Sequence, residues 1–185
     1  NTSSIASGNI INWAWNFGNG ILSTSQTPSL AFPAAGSYPV TLVATSGFGC
    51  IDSANGTIQI DPLPTAAFTA VDVCEGDAVQ FNDGSSVTSG AVSGWQWDFG
   101  DGATATSQNP QHTYSTAGAY GISLIVATGS GCRDTVLGTV VIDPMPQADF
   151  TSQDVCEGDS VRFYNTSLLN GGFISDIDWD FGDGN

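Results

Sequence analysis

The strongest constraint on this chain is a repeat of fixed length. Asp72-Val73-Cys74-Glu75-Gly76-Asp77 returns as Asp154-Val155-Cys156-Glu157-Gly158-Asp159, at an offset of 82 in the numbering. The same offset separates Trp15, Trp97 and Trp179, and links Cys50 to Cys132, Pro62 to Pro144 and Pro64 to Pro146. Independent landmarks that share one spacing without insertion mark a recurrent structural unit. Length alone suggests a single domain, but the chain holds two full periods and the start of a third. Breaks fall at Asp61-Pro62-Leu63-Pro64 and Asp143-Pro144-Met145-Pro146, where two prolines in four residues end a strand and make a short, stiff connector. The reading is a partial repeat at 1–61 lacking its first strands, a complete repeat at 62–143, and a partial repeat at 144–185 lacking its last strands. A sandwich missing strands exposes its core, so the expectation is a section of a much longer array. The alternative is that subunits complete each other by strand donation, because 144–164 supplies the segment missing ahead of Asn1.

Within the complete repeat the apolar residues alternate with a period of two, and no helical period is present. Strands are expected near 66–71, 78–83, 92–99, 103–107, 111–115, 119–128 and 134–142. Trp95, Trp97 and Phe99 share one face, as do Tyr120, Ile122, Leu124 and Val126, while Phe68, Val79 and Phe81 add further inward residues. Seven short strands separated by Gly, Asp, Ser and Pro turns predict an all-β, immunoglobulin-like β-sandwich. Trp97 takes the place of the buried tryptophan, and Tyr120 suits a tyrosine corner.

Charge narrows the partners. Eighteen acidic side chains face two basic ones, Arg133 and Arg162, for a formal net charge of −16. Such a chain cannot hold a phosphate backbone by Lys and Arg neutralisation, and anionic membrane surfaces repel it. No nucleic acid and no membrane insertion are expected: no apolar run approaches the roughly 20 residues that span a bilayer, and the first residues do not read as a signal peptide. The apolar content of 41% is nevertheless enough for a core, unlike that of an acidic disordered tail.

The stretch Trp97-Asp98-Phe99-Gly100-Asp101-Gly102, followed by Asn109-Pro110-Gln111-His112-Thr113-Tyr114 and Gly118-Ala119-Tyr120, resembles the polycystic kidney disease (PKD) domain family. The hallmark of that family is WDFGDG followed by NPxHxY and GxY. The resemblance covers the complete repeat and both partial ones. It implies tandem PKD-like sandwiches, here with a period of 82, used as spacers or interaction modules on secreted and surface proteins. The first repeat departs from the pattern: Asn16 and Asn19 replace the aspartates, and Leu30 replaces the histidine. The fold should survive those changes.

The acidic turn supports two readings. Asp98 and Asp101, with Asp180 and Asp183 one repeat later, either accept backbone N–H bonds to hold the turn or form a calcium pair. Asn16 and Asn19 weaken a calcium site in one repeat. Glu75, Asp77, Glu157 and Asp159 are candidates of the same kind, with a turn role expected. His112 is the only histidine, so zinc clustering is excluded, and a structural role is expected for it. No nucleophile–base set recurs, and no enzyme activity is expected.

The four cysteines, Cys50, Cys74, Cys132 and Cys156, read as disulfide candidates in an extracellular β array. Cys74 with Cys132 is the simple pairing. Immunoglobulin-like topology sets those two at opposite ends of a sandwich, beyond the roughly 7 Å limit between Cα atoms, and so favours bonds between consecutive repeats. Asp52-Ser53-Ala54, Asp134-Thr135-Val136 and Asp159-Ser160-Val161 are similar to the O-glycosylation signal of Bacteroidetes bacteria, whose large secreted surface proteins carry PKD arrays. Ser53, Thr135 and Ser160 are therefore candidate modification sites.

The functional expectation is a structural or adhesive segment of a large secreted, cell-surface or filament-forming bacterial protein. Its partners would be neighbouring repeats, itself by lateral association into a fibre, or an extracellular glycan or protein ligand. The alternative is a carbohydrate- or protein-binding accessory module of a secreted hydrolase.

Overall fold

A computed structural model describes residues 1–182. Residues 1–65 with 86–93 and 127–134 form one compact unit; 66–85, 94–126 and 135 onward form a second. Among the described residues there is no helix.

The first repeat is a single antiparallel sheet. It contains β1 (Ile10–Asn16), β2 (Leu22–Ser23), β3 (Gly36–Ser46) and β4 (Ile51–Ile60), in the order β2-β1-β3-β4. The β3–β4 pairing runs without a break from Gly36↔Ile60 to Thr45↔Ile51. Alternation puts Val40 and Leu42 on the inner face beside Phe17, and these three are buried. By contrast β4 is exposed along its length except at Ile60, so this sheet has one face only partly covered.

The complete repeat contains β5 (Phe68–Thr69), β6 (Val73–Cys74), β7 (Ala78–Gln80), β8 (Asn82–Asp83), β9 (Val92–Asp98), β10 (Thr104–Ala105), β11 (Gln111–Thr113), β12 (Gly118–Thr128) and β13 (Arg133–Asp143). The main sheet is β10-β9-β12-β13-β6. The pairs β5–β8 and β7–β11 form the facing layer. The layers meet through rings: Phe68 stands edge-on to Trp97 at 5.5 Å, and Phe81 lies 5.6 Å from Trp97 and 5.1 Å from Phe99. Trp97, Val79, Phe81, Leu124 and Val126 have no exposed surface. Each such side chain contributes about 1.5–3 kcal/mol by leaving water. Trp97 anchors its indole N–H on the Ser107 carbonyl, and Trp15 repeats that bond to Ser25.

The structure refines the expected strands. The stretch 78–83 is two strands that pair with different partners, separated by the fully buried Phe81. The short strand β6, which the alternation pattern does not reveal, lies parallel to the end of β13, with Asp143 opposite Cys74. Tyr120 forms the expected corner, donating its hydroxyl to the Thr116 carbonyl at 2.8 Å; Tyr38 does the same toward Ala34.

The third repeat contributes β14 (Phe150–Ser152) and β15 (Phe163–Asn165), an antiparallel pair. Phe150, Phe163, Trp179 and Phe181 reproduce the ring cluster of the complete repeat. All four remain exposed, Trp179 at 38% against 0% for Trp97.

Candidate functional site

The polar groups of the family motif converge on the turn after β9. The chain must reverse between Asp98 and Ala103, and Gly100 takes φ 79 to do so. A Cβ there would lie 2.5 Å from the Gly121 carbonyl oxygen, so only glycine fits. Asp98 Oδ1 accepts the Gly100 N–H, and Asp101 Oδ1 accepts the Ala103 N–H, both at 2.9 Å. His112, on β11, closes the turn: its Nε2 lies 2.7 Å from Asp101 Oδ2. The imidazole is stacked on Phe99 at 4.4 Å and stands edge-on to Tyr114. The Tyr114 hydroxyl donates to the Phe99 carbonyl. The Ala103 N–H chiefly, with His112, holds the Asp101 carboxyl below its ordinary value. Burial, and then the charges of Asp101 and Asp98 with Tyr120, push the Tyr114 phenol well above its ordinary range.

The chain contains its own comparison for this clasp. In the first repeat Asn16 Oδ1 accepts the Gly18 N–H and Asn19 Oδ1 accepts the Ile21 N–H. In the third, Asp180 Oδ1 accepts the Gly182 N–H at 2.8 Å. The turn therefore needs the side-chain oxygen and not the charge. The second oxygen of Asp101 matters only where a histidine faces it. With Leu30 in that place, the Asn19 Nδ2 group is buried without a partner. Asp183 lies outside the described residues.

Calcium needs a larger set of oxygens, six to eight in number. Asp101 uses both carboxylate oxygens on Ala103 and His112, and Asp98 uses one on Gly100. Among the described residues, no group of three or more His, Cys, Asp or Glu is assembled that could hold a metal. At the other acidic turns, Asp77 N–H bonds to the Cys74 carbonyl and Asp159 N–H to the Cys156 carbonyl, so the backbone closes both.

A second hub, centred on Asp83, was not visible in the motif. Its Oδ2 accepts the Trp95 indole N–H at 2.8 Å and the Gln108 amide at 3.1 Å, and its Oδ1 accepts the Ser85 N–H. Asn109 Oδ1 in turn accepts the Asp83 N–H. Burial raises the Asp83 carboxyl, but the bonds from Ser85, Gln108 and Trp95 together outweigh it and leave it below its ordinary value. The sequence carries one clue. Asn1 and Asn165 stand in the equivalent places, and each accepts only the N–H two residues on. The Trp13 indole N–H, which corresponds to that of Trp95, is buried without a partner.

No two of the four cysteines are bonded to each other within the chain. Cys74 lies opposite Asp143 and Cys132 precedes Arg133, so they stand at opposite ends of β13, about 36 Å apart at strand rise. No disulfide can join them. Ser53, Thr135 and Ser160 are all exposed. The large hydrophobic side chains exposed on 62–143 are Leu63, Val71, Leu137 and Val141, none of them aromatic.

The profile of the PKD domain matches residues 1–62 and 59–142. The chain belongs to the PKD domain family. The PKD domain is a non-catalytic, immunoglobulin-like accessory domain. Among its relatives, the pre-pro-metalloprotease PrtV of Vibrio cholerae serotype O1 is 30% identical over 139 residues, covering 74% of this chain and 15% of that protein. The microbial collagenase of Vibrio alginolyticus is 34% identical over 100 residues, covering 53% and 12%. The chain thus spans a small fraction of the relatives it matches. Of solved structures, the PKD1 domain of Vibrio anguillarum Epp is 27% identical with a TM-score of 0.43, over 46% of this chain and all of that one.

Proposed function

We propose that these PKD repeats are the non-catalytic accessory part of an extracellular, protein-degrading hydrolase. They would act as a stiff spacer and a low-affinity contact to a polymeric protein substrate. One observation carries the reading. The relatives include a metalloprotease and collagenases, in which the matched region is only 15% or less of the protein. The exposed large hydrophobics of the complete repeat support a protein over a sugar partner, since a glycan-stacking surface calls for aromatic side chains and these are aliphatic. The charge of −16 keeps the array soluble.

The test is co-sedimentation of the chain with fibrillar collagen and with insoluble polysaccharide. Retention on collagen without cleavage is expected. Cleavage by the chain alone would overturn the non-catalytic assignment. Failure to be retained on either polymer would overturn the contact role.

A second reading is a structural or adhesive array on a cell surface. Its support is the unvarying period of 82, which suits a regular fibre. Native material seen as filaments by negative-stain imaging favours this reading, and a discrete appendage on a catalytic domain favours the first.

A further inference from the structure

Both connectors between repeats open with the same peptide bond, Asp61–Pro62 and Asp143–Pro144. An Asp–Pro bond is the weakest in a polypeptide toward acid, for two chemical reasons. The aspartate side chain can reach its own carbonyl carbon and close a five-membered ring, an intramolecular attack of high effective concentration. The proline nitrogen carries no hydrogen and two alkyl substituents, so it takes up a proton and leaves more readily than other amide nitrogens. Both aspartates are exposed, and among the described residues no hydrogen bond holds either carboxylate.

At Asp143 the fold adds a donor to this chemistry. Asp143 is the last residue of β13 and lies opposite Cys74 of β6. Its carbonyl oxygen, the oxygen of the Asp–Pro bond, accepts the Glu75 N–H at 2.8 Å. That N–H is held in place from both sides. The turn from Cys74 to Asp77 is closed by the Asp77 N–H on the Cys74 carbonyl, and Gly76 takes φ 90, as the third position of a type II turn requires. The Gly76 N–H meets the carbonyl of Tyr114, which is 1% exposed. The donor is therefore fixed before any charge develops on the oxygen it faces.

We propose that Asp143–Pro144 is an acid-triggered self-cleavage site, with the Asp143 carboxylate as nucleophile and the Glu75 N–H as its oxyanion donor. A carboxylate oxygen bonds to the Asp143 carbonyl carbon, and the carbonyl π pair moves onto the oxygen facing Glu75. That pair then re-forms the C=O as the C–N bond breaks. The Pro144 nitrogen leaves with the bond pair and takes a proton from the acidic solvent. The products are a cyclic anhydride at Asp143 and a secondary amine at Pro144. One water opens the anhydride and restores two carboxyl groups. Hydrogen bonds to a charged acceptor are about twice as strong as neutral ones, and only that surplus accelerates the step. The cut falls after the last residue of β13, so β5 to β13 stay on one fragment and the covalent link to the next repeat is lost.

The test follows intact mass with time at the lowest pH at which tryptophan fluorescence shows the folded chain. Cleavage at Asp143–Pro144 is expected to be about two- to tenfold faster in the folded chain than in the same chain in urea at that pH, the worth of one hydrogen bond. Asp143→Ala removes the nucleophile and should abolish the cut. Glu75→Pro removes the N–H, and proline suits the second position of a type II turn, so the folded rate should fall to the rate in urea. Glu75→Ala keeps the N–H and should cleave as the unaltered chain does. A folded rate no higher than that in urea, a cut that survives Asp143→Ala, or equal rates in Glu75→Pro and the unaltered chain would overturn the proposal. So would a slowing in Glu75→Ala as large as that in Glu75→Pro.

Discussion

The close approach of Phe68 to Gly138 gives a sharp test of how the complete repeat is packed. In Gly138→Ala the new methyl group would sit 2.6 Å from Cζ and 3.3–3.4 Å from both Cε atoms of Phe68. The ring has little room to retreat, because it is held against Trp97 on one side and Phe81 on another. Overpacking of this kind costs about 1–3 kcal/mol. Replacing glycine within a strand returns about 0.5–1 kcal/mol. The net loss is centred on about 1 kcal/mol and reaches at most about 2.5 kcal/mol, at roughly 4–8 °C in the melting temperature per kcal/mol for a domain this size. Gly56→Ala is the internal control: with no atom within 4 Å it keeps only the gain. Urea unfolding at low concentration, followed by tryptophan fluorescence, reads both. Equal midpoints for Gly138→Ala and the unaltered chain would refute the packing argument, and so would a loss in Gly56→Ala as large as that in Gly138→Ala.

Four further outcomes are expected. Asp83→Asn turns an amide toward the Trp95 indole N–H and recreates the orphaned state of Trp13, at a cost of about 1–3 kcal/mol in urea unfolding; an unchanged midpoint contradicts the hub. Asp83 and Asp101 both titrate below their ordinary value of 3.8. Their contributions are therefore present above that pH and lost as pH falls through the lower folded values. Stability should drop on the acid side, and less steeply in Asp101→Asn; an equally steep drop in that variant contradicts the clasp. A double-mutant cycle of Asp101→Asn with His112→Leu, the pair found naturally as Asn19 and Leu30, should show a coupling of about 0.2–1 kcal/mol at neutral pH, and strict additivity removes it. Peptide mapping without reductant should find no Cys74–Cys132 bond, and its presence contradicts the β13 register.

The repeat carried most of the fold into view from sequence. Alternation placed Trp97, Phe99, Ile122 and Leu124 in the core because a strand buries every second residue, and the turn was legible because Gly-Asp-Gly leaves few backbone paths. What stayed hidden depended on contacts distant in sequence. Strand β6 is two residues long and is defined by its partner β13, so alternation has no length in which to register. The role of Asp83 depends on Trp95, twelve residues away, and on Gln108, twenty-five away. The purpose of Gly138 depends on Phe68. The departures in the first repeat were read correctly as sparing the fold, since Asn16 and Asn19 still cap the same N–H groups.

Hydrogen–deuterium exchange by mass spectrometry tests most directly the claim that residues 62–143 enclose a two-layer core, while β4 and the β14–β15 pair of this chain stand exposed. At low concentration β12 and β13 should exchange slowly, through opening of the whole module, while β4 and residues 150–165 exchange fast. Equal protection of β4 and β13 in dilute solution would contradict it, because β4 is exposed along nearly its whole length and β13 is not.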